Sequence, residues 1–408
     1  MSKIITNSNK IKEVLEKGVE RIYPSKEALA KVLKSGKRIR LYCGFDPTAP
    51  SLHIGSAIQL RKLAQFQKLG HGVIFLIGDF TAMIGDPTDK TAARKRLIRR
   101  QIQKNLKNYK KQASKILKFS GNNPAKIMFN SKWNDKLNPS SLMDLGFNFT
   151  VQQMLARDMF RERIKKDKLI FLPEFLYPLF QAYDSVAMDV DLEVGGKDQT
   201  FNMLRGRDLM KIIKNKEKFI LTTKLLTDSS GEKMGKTEGN IINLDENPDE
   251  MYGKIMAWSD SLIIPGFELC TDLSMEKAKE INRQIKNKKL NPRDAKARLA
   301  REIVSIHHSK SAALKAEKEF NRVFKEKKEP SEMPVYELEP INILTLLFEK
   351  GLATSKSEAK RLIKQRAVEE NGQPIDNYYQ LITPRTEEEG GTIIRVGPRK
   401  FIKLIKKH

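Results

Sequence analysis

Two groups of side chains in this sequence could bind and transform a phosphate ester. The first is a Pro/Gly-rich turn that holds Thr48, His53 and Gly55 just before a predicted helix. A helix N-terminus offers free backbone N–H groups and the positive end of the helix dipole, so this turn suits an anion. The second is a Gly- and Ser-rich loop in which Lys233 and Lys236 flank Met-Gly. Two cations in such a loop suit a mobile clamp on phosphate oxygens.

A polar stripe on a third segment could bind a polar ligand. Tyr177, Gln181 and Asp184 lie at positions i, i+4 and i+7 of a predicted helix over residues 174–184, so they share one face. If that face is buried, each of these groups needs a hydrogen-bond partner. The spacing by itself equally allows a stripe that faces solvent.

The elements around these groups predict an α/β domain. The segment 38–45 reads as a strand, residues from Ser56 onward as a helix, and 73–77 as a buried parallel strand. Further strands are predicted at 126–129, 191–196 and 219–222, and residues 11–35 as a helical preamble. Loops rich in Gly and Asp follow the strands at one edge. This pattern predicts a doubly wound parallel sheet, a Rossmann-like fold, with ligands at the carboxyl ends of its strands.

Length and composition indicate several domains and a polyanionic partner. The chain has 408 residues, which is too long for one typical domain, and a net charge of +26. With two cysteines, no signal-peptide core and no apolar run of membrane length, we expect a cytoplasmic protein without a membrane partner. We predict a catalytic domain over 1–247, a helical domain over 248–328, a linker over 329–340 and a small basic α+β domain over 341–408.

One surface stands out by its charge. Between Lys90 and Asn134 there are fourteen Lys and Arg residues and no Asp or Glu. Apolar residues from Ile98 to Ile116 follow helical spacing, so the charges of that region cover the opposite face. Without compensating carboxylates, such a face is expected to contact phosphates.

Taken together, these motifs resemble a known family. His53-Ile54-Gly55 and Lys233-Met234-Gly235-Lys236-Thr237 resemble the two signatures, HIGH and KMSKS, of class I aminoacyl-tRNA synthetases. The tyrosyl branch is indicated by four further motifs and by a last domain similar to S4-type RNA-binding domains. Those motifs are Tyr42-Cys43-Gly44-Phe45-Asp46-Pro47-Thr48, Ile84-Gly85-Asp86-Pro87, Gln181-Ala182-Tyr183-Asp184 and Gly195-Gly196-Lys197-Asp198-Gln199.

The resemblance implies a ligase that works in two steps. The carboxylate of L-tyrosine attacks the α-phosphate of ATP to give tyrosyl-adenylate and pyrophosphate, and the 3′ end of tRNA(Tyr) then takes the tyrosyl group. Catalysis would come from positioning and from stabilising charge on the phosphates. The implied catalytic residues are Thr48, His53, Lys90, Arg94, Lys233 and Lys236. Mg²⁺ would travel with ATP rather than occupy a metal site of the protein.

The resemblance also implies the binding residues and a homodimer. Tyr42 and Asp184 would bind the phenol hydroxyl of tyrosine, and a site whose buried polar groups phenylalanine leaves unpaired rejects it; this family is the standard illustration of that rule. The ammonium group would be held by Asp86, Tyr177 and Gln181, with Gln199 nearby. The implied ATP-binding residues are Gly44, Asp46, His53, Gly55, Ser56, Gly196, Asp198 and Lys236.

Two positions depart from the family pattern. Ser56 stands in place of the second His of the first signature, and Lys197 in place of a small hydroxyl residue; we expect Lys197 to face solvent.

Three other functions are compatible with part of the sequence. A tryptophanyl-type relative is disfavoured by Tyr42 with Asp184 and by the S4-like tail. An RNA-binding protein that has lost activation would have no need of the four phosphate-binding side chains. A nucleotidyltransferase would have no need of the tail.

Overall fold

The computed structural model describes residues 3–88, 96–227, 241–326, 328–331, 333–397 and 400–407. Internal contacts divide the chain into two compact units, Met1–Leu314 and Lys315–His408. No helix within the described ranges is long and apolar enough to cross a bilayer.

The first unit contains a six-stranded sheet surrounded by helices. Its strands are β1 (Val19–Tyr23), β2 (Arg40–Phe45), β3 (Gly72–Ile77), β4 (Lys126–Phe129), β5 (Leu192–Gly196) and β6 (Phe219–Thr223). Its helices are α1 (Ser8–Glu16), α2 (Lys26–Lys34), α3 (Ile54–Lys68), α4 (Arg99–Leu106), α5 (Tyr109–Ala113), α6 (Ser131–Asn134), α7 (Pro139–Gly146), α8 (Val151–Leu155), α9 (Asp158–Lys165), α10 (Leu172–Met188), α11 (Thr200–Lys214), α12 (Pro248–Met256), α13 (Ile263–Cys270), α14 (Met275–Lys286) and α15 (Pro292–His307). Helix α16 (Lys310–Phe324) leads into the second unit.

The strand order of this sheet is β1-β6-β5-β2-β3-β4. Strands β6, β5, β2, β3 and β4 run parallel, and β1 pairs with β6 in the antiparallel sense. The order reverses between β2 and β5, because the chain winds outward through β3 and β4 on one side and through β6 on the other. The predicted doubly wound parallel sheet is confirmed, and its switch point lies between β2 and β5.

Buried apolar side chains hold β3 and α3 in place around the switch point. Strand β3 is buried from Val73 to Ile77, as expected for a strand covered on both faces. Helix α3 contacts β2, β3 and β5, so it spans the switch point and buries Leu60, Leu63 and Phe66. Its N-terminus is thereby fixed next to the end of β2.

The prediction of one helical preamble over residues 11–35 is wrong. The segment forms α1, the edge strand β1 and then α2. Val19 and Ile22 therefore lie on a strand, although their spacing from Val14 and Leu15 fits a helical face. The reason is pairing with β6, since Ile22 aligns with Leu221 in the sheet. A short β-branched segment takes strand or helix form according to the neighbour available.

The second unit is a small α+β domain. Its elements are β7 (Val335–Leu338), β8 (Ile341–Asn342), α17 (Ile343–Glu349), α18 (Lys356–Lys364), β9 (Val368–Glu370), β10 (Gln373–Pro374), β11 (Leu381–Ile382), β12 (Thr392–Val396) and β13 (Lys400–Lys406). Five of the strands form a sheet in the order β10-β9-β12-β13-β7. Helix α18 begins as predicted at Ser355, whose hydroxyl accepts the backbone N–H of Glu358 at 3.1 Å.

Candidate active site

A cleft lies at the carboxyl ends of β2 and β5, where a doubly wound fold places its ligand. Every predicted site residue that falls in the described ranges lines this cleft. They are Tyr42, Gly44, Asp46, Thr48, His53, Gly55, Ser56, Asp86, Tyr177, Gln181, Asp184, Gly196, Asp198 and Gln199. The fold thus brings together residues that lie up to 157 positions apart in the sequence, from Tyr42 to Gln199.

Four predicted catalytic residues lie outside the described residues. Lys90 and Arg94 belong to 89–95, and Lys233 and Lys236 belong to 228–240. Residues that flank both segments, Asp86 on one side and Leu226 on the other, line the cleft. The roles of the four cations stay predictions.

Asp184 is held at the closed end of the cleft by three N–H donors. Its side chain accepts Trp133 Nε1 at 2.7 Å, Asn130 Nδ2 at 3.2 Å and Asn134 Nδ2 at 3.2 Å. The residue is only 3% exposed. Burial raises the pKa of the carboxyl to about 8, although the three donors act in the opposite direction. The result is a rigidly placed acceptor that can bind a hydroxyl group.

Tyr42 lies at the same end, on β2, and is 1% exposed. Its hydroxyl oxygen is 2.9 Å from Ser185 Oγ on α10. Burial, together with the nearby Glu193 and Asp184 carboxylates, raises the pKa of the Tyr42 phenol well above its usual value. Tyr42 is therefore a neutral hydroxyl that can donate or accept a hydrogen bond next to Asp184.

A second cluster of polar groups lies further along the cleft. Gln199 donates from Nε2 to Asp86 Oδ2, and the Thr88 hydroxyl donates to Asp86 Oδ1 at 2.7 Å. Gln181 donates from Nε2 to Glu193 at 3.1 Å, while its Oε1 is buried and has no hydrogen-bond partner among the described residues. A buried acceptor without a partner, beside a carboxylate, is suited to a cationic ligand group.

Asp46 connects β2 to this cluster. Its carboxylate accepts the hydroxyl of Tyr177 at 2.9 Å and the hydroxyl of Thr81 at 2.8 Å. The backbone at Gly78 approaches so closely that a Cβ there would lie 1.9 Å from Asp46 Oδ1. The glycine is therefore required for the position of Asp46. The stripe of Tyr177, Gln181 and Asp184 faces this cleft rather than solvent.

The other end of the cleft is open and carries the first signature. His53 caps α3, and its Nδ1 accepts the backbone N–H of Gly55 at 3.1 Å. A Cβ at Gly55 would lie 2.8 Å from Cε1 of that imidazole, so glycine is needed for the ring to take this position. Thr48 and His53 are exposed, and Ser56 is half-buried on the first turn of α3. This end combines hydroxyl groups, an imidazole and a helix N-terminus, which suits an anion.

Lys197 faces away from the cleft, as expected from the sequence. It forms an ion pair at 2.7 Å with Glu20 on β1, and its side chain is 61% exposed. An exposed pair of this kind contributes little stability. The change from a small hydroxyl residue therefore does not alter the lining of the cleft.

The sequence did not point to several residues that build the closed end. Asn130, Trp133 and Asn134 follow β4, and nothing in their spacing marks them as partners of Asp184. The buried ion pair of Glu193 with Lys218 was also missed. A single charged residue beside a strand carries no sequence signal of burial, so nothing marked Lys218 as part of the site.

Comparisons with known proteins agree with this fold. Residues 34–325 match the family model of class I tRNA synthetases (W and Y). Residues 324–404 match the model of the tyrosine–tRNA ligase SYY-like C-terminal domain. The two matches together define a class I tRNA synthetase with a C-terminal extension.

Individual relatives show which branch of the class this chain resembles. The chain is 42% identical to the tyrosine–tRNA ligase of Carboxydothermus hydrogenoformans, over 96% of this chain and 97% of that protein. It is 41% identical to that of Thermotoga maritima, with 96% of each chain covered. A mitochondrial tyrosyl-tRNA synthetase from Coccidioides posadasii, 26% identical, superposes with a TM-score of 0.62 over 76% of this chain and 91% of its own. The chain belongs to the tyrosine–tRNA ligase family, and the family predicted from the motifs is confirmed.

Proposed function

We propose that this chain activates L-tyrosine with ATP and transfers it to tRNA(Tyr). The tyrosine carboxylate attacks the α-phosphate of ATP, and pyrophosphate leaves. The 3′ end of the tRNA then takes the tyrosyl group, and AMP leaves. Membership of the tyrosine–tRNA ligase family supports this reaction. The observation in the site that supports it best is the buried pair of Asp184 and Tyr42 at the closed end of the cleft.

The closed end fits the phenol of tyrosine. Asp184 can accept the phenol hydrogen, while Tyr42 can donate to the phenol oxygen. Phenylalanine would leave the remaining acceptor position of Asp184 and one hydrogen-bonding position of the Tyr42 hydroxyl unfilled, and an unsatisfied buried polar group costs about 1–3 kcal/mol. The site would thus reject phenylalanine at the binding step, without a separate editing site.

The second polar cluster fits the ammonium group of the amino acid. In our proposal, Asp86 supplies the negative charge, and Gln181 Oε1 and the Tyr177 hydroxyl oxygen accept N–H groups. Gln199 would orient Asp86 by the hydrogen bond that joins them. The unpartnered Gln181 Oε1 supports this assignment, because an ammonium group has three donors to place.

The open end would bind ATP and hold the departing pyrophosphate. Gly44, Gly55 and Gly196 leave space for the nucleotide, and Asp46, Ser56 and Asp198 offer polar groups to it. Thr48 and His53 would contact the phosphates as charge develops. Lys90, Arg94, Lys233 and Lys236 would complete the clamp from segments outside the described residues. We expect Mg²⁺ to arrive bound to ATP phosphates, and we assign it no protein ligand.

The basic surface would bind the tRNA backbone. The lysines of α4 and α5 and of the turn that follows, from Lys104 to Lys118, are exposed, and no acidic residue lies between Lys90 and Asn134. The 341–408 region, S4-like by resemblance, would add a second contact. Such contacts depend on released counterions, so binding should weaken steeply as salt increases.

Exposed apolar side chains support a homodimer. Seven large apolar residues between positions 143 and 172 are exposed, and Phe147 is 86% exposed. They are Met143, Phe147, Val151, Ile164, Leu169, Phe171 and Leu172. An apolar cluster of this kind in one sequence segment is typical of a protein interface. We propose that a second copy of this chain covers it, with one tRNA contacting both subunits.

The remaining assignments are also proposals. We propose domains over 1–247, 248–328 and 341–408 with a linker over 329–340, of which Val335–Leu338 forms β7 and pairs with β13 in the second unit. A cytoplasmic location is expected from the low cysteine content; Cys43 and Cys270 are both free and buried.

Tyrosine-dependent ATP–pyrophosphate exchange without tRNA tests the proposed activation step. Parallel reactions contain phenylalanine or tryptophan in place of tyrosine. Exchange with tyrosine alone is the expected result, and it would also show that Ser56 is tolerated in the first signature. Exchange with tryptophan would overturn the substrate, and no exchange from folded protein would overturn activation.

A further inference from the structure

A buried ion pair lies at the amino-acid end of the cleft, and one of its members, Glu193, is part of the cleft lining. Glu193 on β5 and Lys218 immediately before β6 pair with each other, and both are almost completely buried. Lys218 Nζ also donates to Ser185 Oγ at 2.8 Å. Ser185 in turn contacts the Tyr42 hydroxyl, and Glu193 accepts Gln181 Nε2 at 3.1 Å. The pair therefore contacts Gln181 directly and Tyr42 through Ser185, and both Gln181 and Tyr42 line the cleft.

Stability alone is a weak reason for such a pair. Removing two charges from water costs free energy that their attraction often fails to recover, and apolar replacements are frequently as stable. A buried ion pair that contacts ligand-facing side chains is instead a candidate for positioning them. The contacts of Lys218 and Glu193 indicate what they position.

On the Lys218 side, the pair holds one end of a hydrogen-bond chain that reaches Tyr42 through Ser185. A lysine ammonium can only donate, so Ser185 Oγ must accept from it. The single hydroxyl hydrogen of Ser185 is then available for the Tyr42 oxygen, 2.9 Å away. When Ser185 donates that hydrogen, Tyr42 accepts it and keeps its own hydrogen for a ligand; the geometry allows either hydroxyl to be the donor. The two oxygens of Glu193 accept hydrogen bonds from Lys218 and Gln181, and the same carboxylate is a nearby competing acceptor for the Tyr42 hydroxyl.

On the Glu193 side, the pair fixes the amide of Gln181. Glu193 as a carboxylate only accepts, so the NH₂ group of Gln181 must face it. The amide oxygen is then turned to the cleft, where it has no partner within the described parts of the chain. One ion pair thus orients the Gln181 acceptor and, through Ser185, contacts the Tyr42 hydroxyl.

We infer that Glu193 and Lys218 are positioning residues for amino-acid recognition: through Ser185 they present the Tyr42 hydroxyl as a donor to the substrate phenol oxygen, and through Gln181 an acceptor to the substrate ammonium. This inference rests on the proposed function. It makes the phenol oxygen an acceptor from Tyr42 and its hydrogen a donor to Asp184. A ligand must therefore carry a ring substituent that both accepts and donates a hydrogen bond. Amino acids whose ring lacks such a substituent should bind more weakly.

The test replaces both charges at once, so that no buried charge is left alone. The double variant Glu193→Gln, Lys218→Met is assayed by ATP–pyrophosphate exchange with tyrosine and with phenylalanine. We expect the KM for tyrosine to rise about tenfold, with the KM for ATP and kcat within about twofold. The preference for tyrosine over phenylalanine should also fall, but by less than the affinity, because the Gln181 acceptor faces the ammonium group that both amino acids carry.

The matched control removes another buried ion pair, that of Arg163 with Glu174, by Arg163→Met, Glu174→Gln. Neither residue lines the cleft, so this control should leave the preference for tyrosine unchanged even if the protein melts earlier. A merely structural role of Glu193 and Lys218 would give the same behaviour in the double variant, and that result would overturn the inference.

A second variant covers the case in which the double variant does not fold. Ser185→Ala interrupts the chain between Lys218 and Tyr42 without changing any charge. We expect a rise of about fivefold in the KM for tyrosine and an equal loss of preference over phenylalanine. An unchanged preference in folded Ser185→Ala protein would contradict the inference. If the unmodified enzyme itself shows no exchange with tyrosine, the proposed function fails instead.

Discussion

The two ends of the cleft differ in burial and in the kind of ligand group that they suit. At the closed end, Asp184 and Tyr42 are buried, and each is held by hydrogen bonds to neighbouring side chains. At the open end, Thr48 and His53 are exposed at the N-terminus of α3. The closed end is preorganised before a ligand arrives, while the open end offers donors to an anion that brings its own charge.

This difference indicates where specificity and rate would arise. Buried groups that each keep one hydrogen-bonding position for the ligand penalise a ligand without the matching hydroxyl, so the closed end would set the choice of amino acid. Donors and cations at the open end act on charge that develops on the phosphates, so that end would set the rate. Changes at the two ends should therefore affect different kinetic constants.

The largest effect is expected from Lys236→Ala, at the open end. Loss of one cation that stabilises the transition state should reduce the rate of adenylate formation by roughly 10²–10³-fold and leave the Kd for tyrosine within about twofold. Single-turnover kinetics and equilibrium binding of tyrosine measure the two quantities. Lys197→Ala is the matched control, because that exposed lysine pairs with Glu20 and should have no effect. An equal loss of tyrosine affinity in Lys236→Ala would contradict the division between the two ends.

At the closed end, Asp184→Asn should mainly change the choice of amino acid. The amide loses the charge that accepts the phenol hydrogen, and a hydrogen bond to a charged group contributes about 1.5–3 kcal/mol. We expect kcat/KM for tyrosine to fall about 100-fold and that for phenylalanine to stay nearly constant. Pyrophosphate exchange with both amino acids measures the ratio, and thermal unfolding checks that the variant is folded. An equal fall for both substrates would show that Asp184 is only structural.

The pH dependence provides a smaller test of the same end. Burial raises the pKa of Asp184 to about 8, and the carboxyl has to be ionised to accept the phenol hydrogen. Below about pH 8, kcat/KM for tyrosine should therefore rise about tenfold per pH unit, and it should level off above that pH. Activity with phenylalanine, which has no phenol, should show no such step. Asp184→Asn serves as the control, since the step should disappear with the carboxyl.

The smallest effect is expected from Ser56→His, which restores the second histidine of the first signature. Ser56 already offers a hydroxyl donor on the first turn of α3, so one hydrogen bond is exchanged for another. The rate of adenylate formation and the KM for ATP should change by about threefold or less. A gain of more than tenfold would show that serine at this position limits the open end.

A structural feature could be predicted from the sequence where it is encoded by residues that lie close together in the chain. The order β2, turn, α3 was predictable, because Pro and Gly punctuation and apolar spacing are encoded within a few residues. The same holds for the one-faced stripe of Tyr177, Gln181 and Asp184. Val19 and Ile22 were misassigned for the opposite reason, since only their pairing with β6 decides that they form a strand.

The sequence by itself determined the class of chemistry. Its motifs supply hydrogen-bond donors, cations and a carboxylate in a fixed order, and its charge indicates a nucleic-acid partner. Only the tertiary structure decided that Asp184 has three N–H donors and that Glu193 and Lys218 lie buried behind Tyr42. The physical reason is that burial and hydrogen-bond partners depend on contacts between distant segments. Whether a charged group is buried or exposed to water is decided only when the sheet and helices pack together.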